Sequence, residues 1–442
     1  MAQHPFLISQ TPTLPEPGKA TGWGRLIGAS APLAAAEYAS AVERPIVVLA
    51  DDPRHADQLE AGIRYFADEA LDVRHFVEWE TLPWDSFSPH QDIVSERLSV
   101  LATAQSMRSG VIVAPATVLL QKLPPVDYVA ARSLSLRAGQ ELPREAFIDS
   151  LGAAGYLRVP QVSEHGEFAV RGSLIDVFPM GSQQPIRIDF FDDDIESLRY
   201  FSAETQLSGD AVDAVDVLPA REVPLDEAAI SRFRENYRER FEGQPGQSRV
   251  YREVSDGVAH GGIENYMPLF FDATATLLDY LPDDCILLAP QGLDSVLDQA
   301  WREIEERFEL CNLDRERPIL TAAETFNAPA DMLQAISDLP QIRYSSQSLA
   351  EGGDSVNFPT RLPPALRIEA RYEDAAGALL KFLGEFVGRV LFTSDSAGRR
   401  EQIIDLLSGR NLDLERADDW AAFAAGNHRF GVAIAPLDNG VV

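Results

Sequence analysis

Four short apolar runs, each followed by a turn and then by a helix-like stretch, constrain the fold of this chain most strongly. They lie at residues 45–50, 110–114, 285–289 and 389–392. Strands that are apolar on both faces are typical of parallel sheets covered by helices on both sides. Asp, Ser or Thr residues near the starts of the following helices fit helix capping. The pattern therefore predicts an α/β fold with doubly wound parallel sheets.

The stretch 127–218 has a different pattern. After a helix near 144–154, residues 167–178 are strand-like, residues 186–191 alternate between apolar and polar, and a turn at Asp192-Asp-Asp194 leads into 195–201. Short alternating strands joined by turns are typical of antiparallel sheets. We therefore predict a small antiparallel β-rich domain inserted between α/β segments.

This change of pattern divides the chain into six predicted segments. A polar stretch that contains Glu351-Gly-Gly-Asp354 suggests a linker before the last of them. The segments are a flexible N-terminus (1–19), a first α/β part (20–126), the β-rich domain (127–218), a second α/β part (219–345), a linker (346–361) and a small α/β domain (362–442).

Charge and composition exclude several classes of protein. The chain has 38 basic and 69 acidic residues, a formal net charge of −31, and no predicted segment is basic, whereas duplex DNA binding normally needs a basic surface. No apolar run reaches the roughly 18–20 residues of a membrane helix, and residues 1–22 lack the order of a signal peptide. We expect a cytosolic (cytoplasmic) protein without membrane contact, in which Cys285 and Cys311 are free thiols.

Nucleotide and metal sites were sought and not found. A phosphate-binding loop of the form Gly-x-x-x-x-Gly-Lys-Ser/Thr needs a lysine and a hydroxyl after its last glycine. Residues 22–30 have glycines in about the right places but no such ending, and Gly18-Lys19 is followed by Ala20. We expect Asp51-Asp52 to cap a helix rather than bind magnesium. The seven histidines show no metal-ligand spacing, so no cofactor and no metal is expected in this chain.

An aromatic-rich stretch at 79–90 leaves two interpretations. Its tryptophans and phenylalanine could stack on nucleic-acid bases. Because no Arg or Lys flanks them, a structural loop packed against the sheet is favoured.

The alternation in 186–191 predicts an outward surface. Residues at every second position share a face of a strand, so Ile186, Ile188 and Phe190 should face the core. The other three residues should then point outward: Arg187, Asp189 and Phe191. Arginine and aromatic residues are the types that anchor protein interfaces. The alternative is a solubilising face on which a neighbouring helix covers Phe191.

The preceding strand can extend this surface. Taken as one continuous strand, it would place Phe168, Val170 and Leu174 inward. The opposite set would point outward: Arg171, Ser173 and Ile175. Arg171 could then reach the same outer surface as Arg187.

Four long motifs resemble those of a known family. The motifs are Leu82-Pro-Trp-Asp-Ser-Phe-Ser-Pro-His-Gln-Asp-Ile-Val-Ser-Glu-Arg97, Glu164-His-Gly-Glu-Phe-Ala-Val-Arg-Gly-Ser-Leu-Ile-Asp-Val-Phe-Pro179, Ile186-Arg-Ile-Asp-Phe-Phe-Asp-Asp-Asp-Ile-Glu-Ser-Leu198 and Gly262-Ile-Glu-Asn-Tyr-Met-Pro-Leu-Phe-Phe271. Together they resemble the amino-terminal part of bacterial transcription-repair coupling factors (Mfd), over a region from about residue 20 to the end.

The resemblance implies a layout and a partner. In that family this region is a degenerate UvrB-like module: a RecA/UvrB-like α/β domain in two parts, interrupted by a small β-rich domain and followed by a third domain of unknown role. The β-rich domain recruits UvrA through two arginines and a phenylalanine, which correspond here to Arg171, Arg187 and Phe191. The degenerate α/β domain does not bind ATP.

The family also continues beyond this length, into an RNA-polymerase-binding domain and a DNA translocase motor. The resemblance implies that ATP, magnesium, RNA polymerase and DNA are bound by those parts, which this chain does not contain. It also implies that a carboxy-terminal domain of the intact protein covers the UvrA-binding face.

Three hypotheses follow. The main one is a non-catalytic adaptor that mimics UvrB and recruits UvrA to stalled RNA polymerase for nucleotide excision repair. The second is a nucleotide-dependent DNA-remodelling enzyme that acts through the first α/β domain, and the third is a passive spacer that holds the motor shut. The adaptor hypothesis predicts that Arg187→Ala or Phe191→Ala abolishes UvrA binding without moving the melting transition.

Overall fold

The computed structural model describes residues 7–8, 13–314, 316–350, 352, 354–364, 366 and 376–442. Several predictions fall partly on other residues. Residues 1–6 and 9–12 of the predicted flexible N-terminus lie outside the described residues, as do Glu351 and Gly353 of the predicted linker. Residues 365 and 367–375 of the predicted last domain lie outside them as well.

Short strands are spread along the whole described chain. They are β1 (Ala20–Gly24), β2 (Pro45–Ala50), β3 (Val73–His75), β4 (Gly110–Pro115), β5 (Leu134–Arg137), β6 (Leu157–Arg158), β7 (Glu167–Arg171), β8 (Leu174–Val177), β9 (Ile186–Phe191), β10 (Asp194–Phe201), β11 (Ser208–Val212), β12 (Ala214–Val217), β13 (Ile286–Pro290), β14 (Gln341–Tyr344), β15 (Ser355–Asn357), β16 (Val390–Ser394), β17 (Glu415–Arg416) and β18 (Phe430–Ile434).

Helices alternate with the strands outside residues 157–217. The α-helices are α1 (Ser30–Ala41), α2 (Pro53–Phe66), α3 (Gln91–Ala104), α4 (Val126–Arg132), α5 (Arg144–Ala153), α6 (Glu227–Arg240), α7 (Arg249–Ser255), α8 (Leu293–Cys311), α9 (Ala322–Thr325), α10 (Pro329–Ser337), α11 (Gly377–Glu385), α12 (Ala397–Ser408) and α13 (Trp420–Ala425). Short 3₁₀ helices lie at Ala116–Leu120, Pro245–Gln247, Ile263–Leu269 and Leu277–Tyr280. Within the described part of the chain, no helix is long and apolar enough to cross a membrane.

A seven-stranded sheet forms the centre of the α/β body. Its strand order is β15-β1-β14-β13-β2-β4-β3, and all of its strand pairs are parallel. Every residue of β2 and of β4 is buried, because one apolar core covers each face of the sheet. Val47 and Leu49 face one core, and Ile46 and Val48 face the other. The predicted doubly wound parallel sheet is confirmed.

A six-stranded sheet forms the β-rich part. Its order is β11-β10-β9-β8-β7-β6, with antiparallel pairing except between β6 and β7. The stretch 167–178 is not one strand, because Gly172, at φ +62°, and Ser173 form a turn between β7 and β8. The turn places Leu174 opposite Arg171 on the outer face and buries Ile175 completely. Our inward assignment of Leu174 and outward assignment of Ile175 were therefore wrong.

Residues 376–442 form a small α/β unit of their own. Its three parallel strands are ordered β16-β18-β17; α11 precedes β16 in the chain, and α12 and α13 connect the strands. The preceding segment 346–361, predicted to be a linker, contributes the edge strand β15 to the seven-stranded sheet. A pairing of three residues with β1 was not visible in the polar sequence of this segment.

A buried ion pair fastens the α/β body to the chain that leaves the β-rich part. The Nε of Arg97 on α3 lies 2.6 Å from Oε1 of Glu222, and the two side chains are 0% and 2% exposed. The indole nitrogen of Trp79 lies 3.3 Å from each carboxylate oxygen of Glu222. Trp79 and Trp84 are both buried, so the tryptophans of the aromatic-rich stretch are structural, as the favoured interpretation predicted.

Candidate functional site

The outer face of the six-stranded sheet brings the three predicted site residues onto one surface. Arg171 lies opposite Leu174, Leu174 lies opposite Asp189, and Asp189 is two residues from both Arg187 and Phe191 on β9. Residues two apart on a strand point to the same side. We call this surface the docking face and define it by Arg171, Leu174, Arg187, Asp189 and Phe191.

The opposite side of β9 packs into the core. Ile186 and Ile188 are fully buried and Phe190 is 4% exposed, which confirms the alternation predicted for this strand. The ring of Phe190 lies 6.2 Å from that of Phe147 on α5. Helix α5 therefore covers the inner face of the sheet.

Phe191 projects from the carboxyl end of β9. Its side chain is 69% exposed, and the turn residue Asp192 that follows has a φ of +53°. The alternative in which a neighbouring helix covers Phe191 is therefore wrong for the described chain. The packed strand fixes the backbone from which the ring projects, and the exposed ring is free to enter a partner's pocket.

Arg171 lies at the end of β7 and is exposed. Its Nη2 donates a hydrogen bond to the carbonyl oxygen of Pro160 at 3.0 Å. A guanidinium has five N–H donors, so this one bond orients the side chain and leaves donors available for a carboxylate.

Arg187, in contrast, has a carboxylate partner within the chain. Its Nε and Nη2 donate to the two oxygens of Asp176 at 2.7 and 2.9 Å, and Nη1 donates to Oγ of Ser208 at 2.9 Å. Asp176 is only 1% exposed, and the guanidinium also lies 4.8 Å from the ring centroid of Phe201. The hydrogen bonds that Arg187 donates to Asp176 raise the pKa of Arg187 above its usual value. Arg187 thus braces β8, β9 and the start of β11.

This pair changes what an Arg187 variant measures. Removing the guanidinium would leave the buried Asp176 carboxylate without its partner, which is costly. The geometry therefore predicts that Arg187→Ala lowers the melting transition, and this prediction replaces our expectation that the transition stays in place. The sequence offered a signal, because Asp176 interrupts the apolar run Leu174-Ile-Asp-Val177, and a buried acid there needs a cross-strand cation.

A second small core covers part of the outer side of the sheet. Val162, Ala169 and Phe201 are buried together there. The side-chain amide of Gln206 donates to the carbonyl oxygen of Val162 at 3.0 Å and closes this cover. The surface around Asp176 is therefore shielded, whereas the end that carries Arg171 and Phe191 is open.

A separate cavity of about 380 Å³ lies at the carboxyl edge of the seven-stranded sheet. Nucleotides bind at this edge in many α/β proteins. The lining includes Asp51, His55 and Asp438 but no Lys or Arg. Asp52 accepts a hydrogen bond from the backbone N–H of His55 at 2.8 Å, which confirms the predicted helix cap. Among the described residues, no group of three or more His, Cys, Asp or Glu could hold a metal ion.

Comparison with known families matches two separate regions. Residues 134–223, which contain the docking face, match the UvrB interaction domain family. Residues 382–442, which form most of the small α/β unit, match the family described as MFD, D3 domain.

Comparison with curated proteins gives matches over almost the whole chain. A transcription-repair-coupling factor of Escherichia coli is 36% identical over 92% of this chain, and one of Haemophilus influenzae is 34% identical over 99%. One of Myxococcus xanthus is 31% identical over 78% of it. The chain covers 36%, 38% and 29% of the length of these relatives. Taken with the two domain matches, these similarities show that the chain belongs to the transcription-repair-coupling factor family.

Proposed function

We propose that this chain is a non-catalytic adaptor that binds UvrA through the docking face, in the way that UvrB does. The observation that carries the proposal is the exposed ring of Phe191, which shares a rigid sheet face with the exposed Arg171 inside the match to the UvrB interaction domain. Aromatic and arginine side chains with these surroundings are the usual energetic anchors of protein interfaces.

Each residue of the trio has its own role. Phe191 fills an apolar pocket on UvrA, and Arg171 pairs with a carboxylate there. Arg187 acts mainly through the chain itself, because Asp176 already neutralises it and fixes the strand that presents Phe191. The 18% of its side chain that is exposed can still add a contact at the rim of the interface.

The rest of the repair activity is assigned to other parts of the intact protein. We propose that ATP and magnesium, the DNA translocase activity and the binding of RNA polymerase and DNA lie outside this chain. The cavity at the carboxyl edge of the parallel sheet supports this division, because it presents two carboxylates and no cation to a phosphate. A carboxy-terminal domain of the intact protein would cover the docking face until repair begins.

The experiment is a titration of purified UvrA with this chain and with Phe191→Ala. Truncation of a central anchor should weaken binding by about 2 kcal/mol, or about 30-fold. The control is Phe87→Ala, because Phe87 is 59% exposed but lies in the α/β body. Both variants should melt like the parent, since neither ring packs in a core. Unchanged UvrA affinity for Phe191→Ala and for Arg171→Glu would refute the docking face.

The enzyme and spacer hypotheses predict different results. Calorimetric titration with ATP and magnesium should give no binding to the chain, whereas saturable binding would favour the DNA-remodelling enzyme. A spacer would bind no UvrA at all, and its deletion from the intact protein would raise motor activity.

A further inference from the structure

The turn between β1 and α1 lies where α/β nucleotide-binding proteins hold phosphate. In those proteins the unpaired backbone N–H groups at the start of the first helix receive phosphate oxygens. Here Arg25 and Gly28 have φ values of +59° and +56°, and α1 begins at Ser30 without a side-chain cap. The backbone N–H of Ser30 donates to the carbonyl oxygen of Ile27 within the turn, whereas the N–H of Ala29 has its acceptor elsewhere in the chain.

That acceptor comes from the small α/β unit. The backbone N–H of Ala29 donates to the carbonyl oxygen of Asn439 at 3.2 Å. The next carbonyl, that of Gly440, lies so close to Gly28 that a Cβ built on Gly28 would overlap its oxygen. The oxygen of Asn439 would lie 3.3 Å from the same Cβ position. Gly28 is thus needed for a peptide of this chain to approach, in addition to its left-handed backbone conformation.

Further contacts hold the same segment in place. The amide of Gln58 on α2 donates to Oδ2 of Asp438 at 2.6 Å. The backbones of Arg361 and Val442 exchange two hydrogen bonds of 2.8 and 2.9 Å. Thr360, next to Arg361, hydrogen bonds to the carbonyl oxygen of Arg25. The turn after β1 is therefore enclosed by two segments that also bond to each other.

An aromatic contact lies at a distance from the turn. The rings of Phe66 on α2 and Trp420 on α13 meet edge to face, with centroids 5.2 Å apart. The small α/β unit is consequently attached to the α/β body at two places, of which only one depends on Gly28.

We propose that residues 436–440 form an internal plug at the degenerate phosphate-binding turn. The carbonyl oxygen of Asn439 takes the position of a phosphate oxygen at the start of α1, where the helix dipole favours negative charge, and that of Gly440 fills the space beside Gly28. The plug also locks the small α/β unit to the body. Asp51 and Asp438 line the cavity, and no Lys or Arg is among its described lining residues, so a nucleotide phosphate would meet carboxylates there without an ammonium or guanidinium partner.

The proposal explains why the turn keeps its glycine without a phosphate-binding motif. Loss of a lysine and a hydroxyl would remove nucleotide binding, but it would leave the helix N–H groups without partners. The plug supplies a partner from within the chain, and the turn is kept because it now has a structural role. This inference concerns a different surface from the docking face and does not depend on UvrA binding.

The test is hydrogen–deuterium exchange in Gly28→Ala, with Gly139→Ala as the matched control. Gly139 also has a left-handed φ, of +79°, but no atom lies within 4 Å of its Cβ position. Both variants therefore pay the backbone strain, and only Gly28→Ala meets the plug. We expect exchange of amides in 436–442 and of Ala29 to rise by about tenfold or more in Gly28→Ala alone. Equal exchange in the two variants would overturn the proposal.

A second variant tests the plug even if Gly28→Ala does not fold. Asp438→Ala removes only the side-chain bond to Gln58, so it should fold and should raise exchange in the same amides by a smaller factor. Unchanged exchange in 436–442 would count against the plug.

Addition of ATP and magnesium to the parent chain should leave exchange of these amides unchanged. A nucleotide-dependent rise in exchange of 436–442 would show that the segment is displaced by nucleotide, and the proposal of a permanent plug would fail.

Discussion

The two large sheets of this chain differ in whether their surface groups have partners within the chain. At the carboxyl edge of the parallel sheet, where α/β proteins bind ligands, the backbone N–H of Ala29 donates to a carbonyl oxygen of the chain itself beside the cavity. The outer face of the six-stranded sheet leaves Phe191 69% exposed. A surface whose polar groups find partners within the chain becomes structural, whereas one that leaves an apolar ring in water remains able to bind another protein.

The two sheets also differ in how they use arginine. Arg97, in the α/β body, is completely buried with Glu222, and it lies 4.6 Å from the ring centroid of Phe76. Arg187, on the docking face, pairs with the buried Asp176 but keeps 18% of its side chain exposed. Arg171, on the same face, bonds to a single carbonyl. The three arginines therefore form a series. Arg97 has a purely structural role, Arg187 is partly exposed, and Arg171 is available to bind a partner.

The largest expected effect on the free energy of unfolding is at Arg97, the most buried of these arginines. Arg97→Ala would leave the Glu222 carboxylate buried without its partner, so the free energy of unfolding should fall by about 3–5 kcal/mol. Urea denaturation would measure it. Arg399→Ala serves as the control, because its pair with Asp395 is on the surface, with side chains 70% and 61% exposed, so it should cost less than about 1 kcal/mol. Similar losses in both variants would contradict the contrast.

An intermediate effect is expected at Arg187. Arg187→Ala should lower the free energy of unfolding by about 2–3 kcal/mol, less than at Arg97 because water can reach the guanidinium. The double variant Arg187→Met with Asp176→Leu should recover most of this stability, since neither charge is then left unpaired. If the single variant melts like the parent, Arg187 does not stabilise the sheet, and its role would be to contact the partner protein.

The smallest effect concerns the pH dependence of the α/β body. Burial raises the pKa of the Glu264 carboxyl to about 7, although Ser88 donates to it at 2.8 Å. The folded state therefore holds this proton more tightly than the unfolded state, whose glutamate titrates near pH 4.3. Folding stability from this group is present below that pH and is lost as pH rises towards 7, by about 1.4 kcal/mol for each pH unit.

Glu264→Gln should remove this group's contribution to the pH dependence of the free energy of unfolding between pH 5 and 8. Urea denaturation at several pH values would measure it. Glu145→Gln is the control, because Glu145 is 81% exposed, and it should leave the slope as it is. If the stability of the parent does not fall relative to that of Glu264→Gln as pH rises over this range, the raised pKa of Glu264 would be contradicted.

Local sequence patterns predicted much of the fold. The continuous apolar run 45–50 became β2, buried on both faces, and the alternation in 186–191 placed the core residues of β9 correctly. The same alternation placed Arg187 and Phe191 on one outer face, since side-chain period follows from strand geometry alone. The error at 167–178 concerned Gly172-Ser173, a pair typical of two-residue hairpin turns, which reverses the chain between β7 and β8.

Sequence by itself thus determined the two kinds of sheet, the inner and outer sides of β9 and the candidate trio, because these depend on neighbours a few residues apart. Tertiary structure alone decided that Asp176 pairs with Arg187, that loops shield half of the outer face, and that Asn439 reaches Ala29. Those contacts join residues up to hundreds of positions apart. They are set by strand register and by packing between separate parts of the chain, which leave no periodic trace in the sequence.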